Sequence, residues 1–449
     1  MGNLSKLKIG MISLGCSKNQ VDSEIMLGLI DKEGYEIVNR SEDADIIIIN
    51  TCGFIESAKQ EAIDTILEQA LYKKQGKCQK LIVTGCLAQR YGNELLKEIP
   101  EIDNVVGTSR YTDILEVIED RSRKEYIGDS SSYWEALEKN PYRILTTLPG
   151  TAYLKIAEGC DNRCSYCAIP YIRGKYRSRT MTSLIEEAKG LAENGVKELI
   201  VIAQDITRYG QDLRDGTNLV SLLKELCKID ELKWIRLLYC YPDRITDELL
   251  DFMAEESKIC KYLDIPLQHV NPNIVERMNR RFSKLQAQQL IDKIRKKIPQ
   301  VVLRTTYIVG FPGEGQDEFE ELKEFIENCP FNHAGVFAYS REEGTPAADF
   351  MDQVDDATKN KRKNTLMAMQ RKISKRFNRE FVNKIIDVLI EGEDSPGIYI
   401  GRHYGQAPEI DGHVYVFSKQ ALKPGDFVPV KITKAYDYDL LGDHYEFSK

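Results

Sequence analysis

The chain has 449 residues, 42% of them hydrophobic and 29% charged, with a formal net charge of −8. That length suggests roughly two to four domains, and the composition excludes a disordered, fibrous or membrane-embedded chain. The acidic total argues against direct nucleic-acid binding and fits a basic protein partner better. No run approaches the roughly 18 apolar residues of a membrane span, and the N-terminus carries no apolar secretory segment, so a cytoplasmic protein is expected.

Lys8–Ser13 reads as a short apolar strand and Asp22–Lys32 as a helix. Asp45–Asn50 (DIIIIN) is an apolar run bounded by turn residues, as in a buried parallel strand. Glu56–Tyr72 is helical, Lys80–Thr84 is a third buried strand, and Glu94–Glu98 begins another helical piece. This βα alternation predicts a doubly wound parallel sheet over residues 7–122. Arg121–Pro149 is polar and irregular and reads as a linker. A second series of strands follows: Ala152–Ala157, Glu198–Ala203, Trp234–Tyr239, Tyr262–Leu267, Val301–Val309 and Ala334–Tyr339. About six βα units predict a partial (β/α)6 barrel over residues 146–376, with active groups at the C-terminal strand ends.

Residues 357–379 hold nine Lys or Arg and no acid. They predict a basic helix with Leu366, Met369, Ile373 and Phe377 packed inward and the charges in solvent. Residues 378–449 are rich in short strand signals separated by Gly and Pro, which predicts a five-stranded antiparallel barrel. That region is acidic, with seven basic and twelve acidic residues from 380 to 449.

Eleven cysteines, an odd number in a large cytosolic-type chain, argue for metal ligands rather than a disulfide framework. Cys160, Cys164 and Cys167 form a C-x3-C-x2-C triplet directly after the strand Ala152–Ala157. Three thiolates on one loop suit three irons of a [4Fe–4S] cluster, leaving the fourth iron open. Structural zinc would want a fourth protein ligand, and none is near in sequence. Cys16, Cys52 and Cys86 each lie just beyond the C-terminal end of a predicted parallel strand. Those ends share one sheet edge, so the three thiols should converge there. Each alone would be an ordinary buried small hydrophobe. Cys78 precedes its strand and should lie on the opposite edge. Cys227, Cys240, Cys260 and Cys329 have no partners at ligand spacing and read as core or surface thiols.

In its context, EGCDNRCSYCAIPYIRGKYRSR, the triplet resembles the radical S-adenosylmethionine (SAM) core of the methylthiotransferases, Tyr166 standing where that family has an aromatic residue. SLGCSKNQVDSE, NTCGFI and TGCLAQR resemble the amino-terminal domain of the same family, and the end of the chain resembles a TRAM barrel, which elsewhere binds RNA. The resemblance implies two [4Fe–4S] clusters. The one on Cys160, Cys164 and Cys167 would bind SAM and generate a 5′-deoxyadenosyl radical. The auxiliary one on Cys16, Cys52 and Cys86 would deliver sulfur. It also implies two molecules of SAM, one donating methyl and one the radical.

Gln204 and Asp205 stand at the mouth of a strand, where they could contact SAM or cap the strand. Gln268 and His269 end another strand in the same way, although a lone His is more often a satisfied structural residue. Arg304, mid-strand in a run of otherwise apolar residues and Thr, needs an anionic or carbonyl partner, for which the SAM carboxylate is one candidate. The stretch Tyr307–Glu314 with Gly310 resembles the segment that lies along the adenine in radical SAM proteins.

The resemblance leaves two substrate classes: adenosine in transfer RNA, or an aspartate of the twelfth small-subunit ribosomal protein, modified at its β-carbon by the RimO-type branch. The opening SLGCSKNQVDSE, the segment Arg402–Gly412 (RHYGQAPEIDG) and the acidity of the terminal barrel favour the second. The barrel is then expected to recognise protein rather than RNA. A low-potential donor of flavodoxin or ferredoxin type is implied, and nothing demands more than a monomer.

Overall fold

A computed structural model describes residues 7–128, 134, 137, 138 and 142–446. They form two compact units. One comprises Met1–Thr146, Ala157–Glu187 and Ser340–Ala348; the other comprises Thr147–Ile156, Ala188–Tyr339 and Asp349–Lys449.

The first unit holds a six-stranded parallel sheet. Its strands are β1 (Lys8–Ser13), β2 (Glu36–Val38), β3 (Ile46–Thr51), β4 (Lys80–Gly85), β5 (Asn104–Val106) and β6 (Lys124–Tyr126), in the order β2-β1-β3-β4-β5-β6. Every residue of β3 is buried, as an apolar run covered on both faces requires. Helices α1 (Ser17–Lys32), α2 (Glu56–Gln75) and α3 (Cys86–Glu98) follow β1, β3 and β4. The expected doubly wound sheet is present, with three more strands than the apolar pattern reveals. β2, β5 and β6 have three residues each, too few to display a period. β6 falls inside the stretch expected to be linker, where it pairs with β5. Of that stretch, residues 129–133, 135, 136 and 139–141 lie outside the described residues.

The second unit begins with β7 (Thr151–Lys155). The chain then returns to the first unit for the short antiparallel pair β8 (Ala157–Glu158) and β9 (Arg177–Ser178). β10 (Glu198–Ile202), β11 (Trp234–Leu237), β12 (Ile259–Asp264), β13 (Val302–Val309) and β14 (His333–Ala338) join β7 in an open parallel sheet, in chain order from one edge to the other. That is the arrangement of an unclosed (β/α)6 barrel. The fourth strand ends three residues before the expected Leu267, because Pro266 has no N–H to give to the ladder.

The helix Asp356–Arg379 does not bury the apolar stripe that its sequence suggests. Only Leu366 of the four expected inward residues is fully buried; Met369, Ile373 and Phe377 are half-exposed. The buried face is instead Lys359, Arg362, Leu366, Gln370, Ser374 and Asn378. Much of what this face meets is backbone, although Arg362 also pairs with the Glu314 carboxylate. Gln370 Nε2 donates to Phe331 O at 3.0 Å, Ser374 Oγ donates to Asn332 O at 2.7 Å, and Arg362 Nη1 donates to Glu314 O at 2.8 Å. Polar side chains win there because exposed carbonyls at strand starts and turns must be satisfied.

β15 (Ile385–Ser395), β16 (Ile398–His403), β17 (Val414–Phe417), β18 (Phe427–Ala435) and β19 (Leu440–His444) close into a barrel in the order β15-β16-β17-β19-β18. It is antiparallel except between β17 and β19, which run parallel. Five strands closing a ring cannot alternate direction all the way round, so one seam must be parallel. Val388, Ile390, Val414, Val416, Val430, Ile432 and Leu440 fill the interior.

Candidate functional site

In the first sheet the strand order reverses between β1 and β3, and the C-terminal edge beside that switch is where such folds place ligands. Cys16 follows β1 and caps α1, Cys52 follows β3, and Cys86 opens α3 after β4. The three segments stay in step: Ser13 pairs with Asn50 and Asn50 with Thr84. Asn19 ties their ends together. Its Nδ2 donates to Leu14 O at 3.1 Å and Thr51 O at 2.9 Å, and its Oδ1 lies 3.6 Å from Cys86 Sγ. Asn50 Nδ2 in turn donates to Asn19 O and Ser23 Oγ at 2.8 and 2.9 Å.

The loops approach each other so closely that only glycine fits at residue 15. Its φ is +90°, and a Cβ there would stand 2.7 Å from Cys52 Cβ and 3.2 Å from its sulfur. The thiols also feel one another. Burial raises the Cys52 thiol, with Cys16 adding to the effect. Burial pushes Cys86 up to about 12, Cys16 and Cys52 again adding and Arg173 opposing. Cys78 is buried in an apolar core cluster, where its Sγ donates to Lys80 O at 3.3 Å.

The second cysteine set lies in the same unit, because residues 157–187 belong to it. Gly159 leads into Cys160, whose N–H donates to Gly174 O at 3.1 Å, and Cys167 N–H donates to Cys164 O at 3.1 Å. Arg163, between the first two cysteines, has φ +50°. A non-glycine residue in that region is a strain that surrounding structure must enforce, and such residues gather at functional loops. Ala168 and Ile172, just past Cys167, pack with Cys86 in one apolar cluster. Arg173 follows. Its Nη1 reaches both Glu158 oxygens at 3.0 Å, and its Nη2 reaches Asn19 Oδ1 at 2.5 Å, Asp22 Oδ2 at 3.0 Å and Cys86 Sγ at 3.8 Å.

Both sets suit iron–sulfur clusters by donor chemistry: the first has three thiols on close-approaching loops with buried Arg173 beside Cys86, and the second has three thiols on one short loop. Among the described residues no three His, Cys, Asp or Glu side chains are gathered as ligands of one metal ion. Thiolates that each take a different iron stand farther apart than that.

In the second unit, the residues expected to touch SAM are placed as follows. Gln204 is half-buried just past the end of β10. Asp205 is fully buried; its Oδ1 accepts from Thr207 N at 3.0 Å and its Oδ2 pairs with Arg244 Nη1 at 2.7 Å, which is the capping role. Arg304 has its anions inside the protein: Asp264 Oδ1 lies 3.2 Å from its Nη1 and Asp411 Oδ1 lies 3.4 Å from its Nε. Gly310, at φ +68°, lies under the Lys359 side chain, whose Cγ would be 2.2 Å from an added Cβ. His269 is structural: it is fully buried, its Nδ1 accepts from Asn271 N at 3.1 Å, and its Nε2 faces Glu314 at 3.4 Å.

Two residues stand out that sequence reasoning under-read. Tyr239 and Gln268 follow β11 and β12 with φ of +63° and +72°. Gln268 Oε1 is buried without a hydrogen-bond partner. A strained backbone and an orphaned buried oxygen at the C-terminal edge of a parallel sheet fit a polar ligand such as SAM. The sequence marks Gln268 only as a polar residue ending its strand and marks Tyr239 not at all, since an αL backbone at Tyr or Gln leaves no composition trace. Arg173 was missed for a different reason: its partners lie far apart in the chain.

The segment Arg402–Gly412 turns inward onto the start of the second sheet. Arg402 Nη2 and Arg236 Nε clasp Glu198 at 2.6 and 2.7 Å, all three fully buried. Tyr404 O accepts from Arg236 Nη1 at 2.6 Å, and Asp411 Oδ2 accepts from Tyr262 Oη at 2.7 Å. This stretch therefore docks the barrel on the sheet, which explains its residues without a substrate.

No described helix is long and apolar enough to cross a membrane. Known families match three parts of the chain: the uncharacterized protein family UPF0004 over residues 8–107, the radical SAM superfamily over 154–326 and the TRAM domain over 382–444. The chain is 52% identical over 445 residues to the ribosomal protein uS12 methylthiotransferase RimO of Clostridium botulinum, and 50% identical over 446 residues to that of Acetivibrio thermocellus. Each alignment covers 98% of both chains. Among solved structures, the radical SAM methyltransferase TsrM of Kitasatospora setae, with cobalamin and a [4Fe–4S] cluster bound, matches at a TM-score of 0.55 and 12% identity. That match covers 88% of this chain and 77% of TsrM. The cobalamin-dependent radical enzyme OxsB matches at 0.53 and 12%, covering 82% and 58%. These two likenesses establish the fold alone. Three domains in this order, and half-identity over nearly the whole length, establish more: the chain belongs to the RimO family of radical SAM methylthiotransferases, transferases that use SAM and a [4Fe–4S] cluster.

Proposed function

We propose that the chain methylthiolates the β-carbon of an aspartate in ribosomal protein uS12. Two [4Fe–4S] clusters serve the reaction, one on Cys160, Cys164 and Cys167 with SAM bound, and an auxiliary one on Cys16, Cys52 and Cys86. The observation that carries this reading is the presence of both cysteine sets in one compact unit of a chain half-identical to RimO proteins. Together the bound groups supply the methyl, the sulfur and a radical able to take hydrogen from an unactivated carbon.

The protein's part is to hold, orient and seclude. Asn19 and Gly15 set the spacing of the auxiliary thiols. Cys86 and Cys164 are buried, with Ala168 and Ile172 packed beside Cys86, which keeps water from those two sulfurs. In the second unit, Gln204, Gln268 and the Gly310 turn offer polar groups and backbone to SAM. Asp205 and Arg304 are held by ion pairs to Arg244 and Asp264.

The acidic terminal barrel supports a basic protein substrate rather than RNA phosphate. A low-potential donor of flavodoxin or ferredoxin type would supply electrons to the monomeric enzyme. The test is anaerobic: protein reconstituted with iron and sulfide, given SAM and a strong reductant, is offered uS12 or unmodified transfer RNA. Mass spectrometry should find a methylthio increment on an aspartate of uS12. An increment on transfer-RNA adenosine instead would overturn the substrate assignment.

A further inference from the structure

Arg173 is a buried cation that the reaction as outlined does not use. Its side chain is 1% exposed. A guanidinium out of water must be paired, and Glu158 and Asp22 already achieve that at 3.0 Å each. Two carboxylates more than neutralise it, so pairing alone does not account for its further reach to Asn19 Oδ1 and Cys86 Sγ. Those two contacts join it to the residue that ties the three cysteine loops together and to one of the thiols themselves. Glu158 stands just before Cys160, so the same guanidinium also braces the entry to the second cysteine loop.

We propose that Arg173 is a positioning residue for the auxiliary cluster: it fixes the Cys86 sulfur and offsets the negative charge that three thiolates bring together. The proposal rests on the reading that Cys16, Cys52 and Cys86 hold a cluster. Adding an electron to a cluster adds negative charge, and a fixed cation beside a ligand sulfur favours the reduced form. Arg173 therefore raises the reduction potential, and its carboxylate partners Asp22 and Glu158 lower it.

The opposite signs give the test. In the full-length chain carrying Cys160→Ala, Cys164→Ala and Cys167→Ala, only the auxiliary site can load. After anaerobic reconstitution, iron per chain is counted and the midpoint potential is read by an EPR-monitored redox titration. Arg173→Met should make the potential more negative, and Arg173→Lys, which keeps the charge but not the fork, should recover part of the shift. Asp22→Asn and Glu158→Gln should move it the other way. Should Arg173→Met fail to load, these two carboxylate variants carry the test by themselves. A loaded cluster whose potential is unmoved, or moves in one direction for all the variants, overturns the role of Arg173. Failure of the parent triple variant to take up any iron–sulfur cluster overturns the reading beneath it, and the inference with it.

Discussion

Replacing Arg402 by methionine should loosen the terminal barrel from the second sheet. Arg402 donates to Glu198 Oε2 at 2.6 Å, to Glu198 Oε1 at 3.3 Å and to Gln406 O at 2.9 Å, and it also pairs with Glu391. Arg402 and Glu198 are fully buried. Burial would raise the Glu198 carboxyl, yet Arg402 and Arg236 override it and hold it at about 2. Set against the ordinary 4.5, at about 1.4 kcal/mol per pKa unit, that corresponds to ~3 kcal/mol of favourable interaction. Breaking a buried ion network by removing one partner costs a similar amount, ~3–5 kcal/mol, because the remaining charge is stranded. Trp234 reports on this seam: its ring meets Phe427 of the barrel edge-on at 4.6 Å. The chain has two tryptophans, so Trp134→Phe leaves Trp234 as the sole indole signal. Urea titration of Trp234 emission should then show the Arg402→Met variant released at clearly lower denaturant. Adding Glu391→Gln should restore part of the loss, since Glu391 is the carboxylate left without its arginine, whereas Glu198 keeps Arg236. An Arg402→Met variant within ~1 kcal/mol of its parent would refute the argument that this triad holds the barrel in place.

Acid should act on the same seam. Glu198 has a depressed folded-state pKa, so its contribution is complete above the ordinary carboxylate value of 4.5 and is lost as pH falls from there toward about 2. Trp234 emission followed from pH 6 to pH 2 should change in that window, and a flat trace would contradict it. Gly15→Ala forces a side chain into a left-handed backbone at a cost of ~1–2 kcal/mol, with its Cβ against Cys52; iron bound per chain should fall by the content of one cluster, and full loading would show the loop to be tolerant. Cys164→Ala should abolish SAM cleavage. Cys52→Ala should leave cleavage measurable while methylthio transfer is lost, and full product from Cys52→Ala would remove the auxiliary site from the reaction.

Much of this protein is written in local patterns. Buried parallel strands declare themselves as apolar runs such as Ile46–Thr51, because both faces are covered and no alternation is needed. The Cys160 triplet is equally local, since one short loop supplies all three thiols. Even the dispersed set Cys16, Cys52 and Cys86 follows from topology, because parallel strands in register bring their C-terminal ends to one edge. The acidity of the barrel needs only counting. What the tertiary structure decided is where charged and polar side chains find partners, a matter of distances between residues remote in sequence. Arg173 meets Asp22 and Cys86 across more than 80 residues of chain, and Arg402 meets Glu198 across more than 200. The helix Asp356–Arg379 shows the same principle in reverse: its sequence favours an apolar inward face, but the surface it covers includes the backbone carbonyls of Phe331 and Asn332, so Gln370 and Ser374 are buried instead. Apolar burial is non-directional and can be read from periodicity, whereas hydrogen bonds and ion pairs are directional and depend on a specific partner that only the folded chain brings within reach.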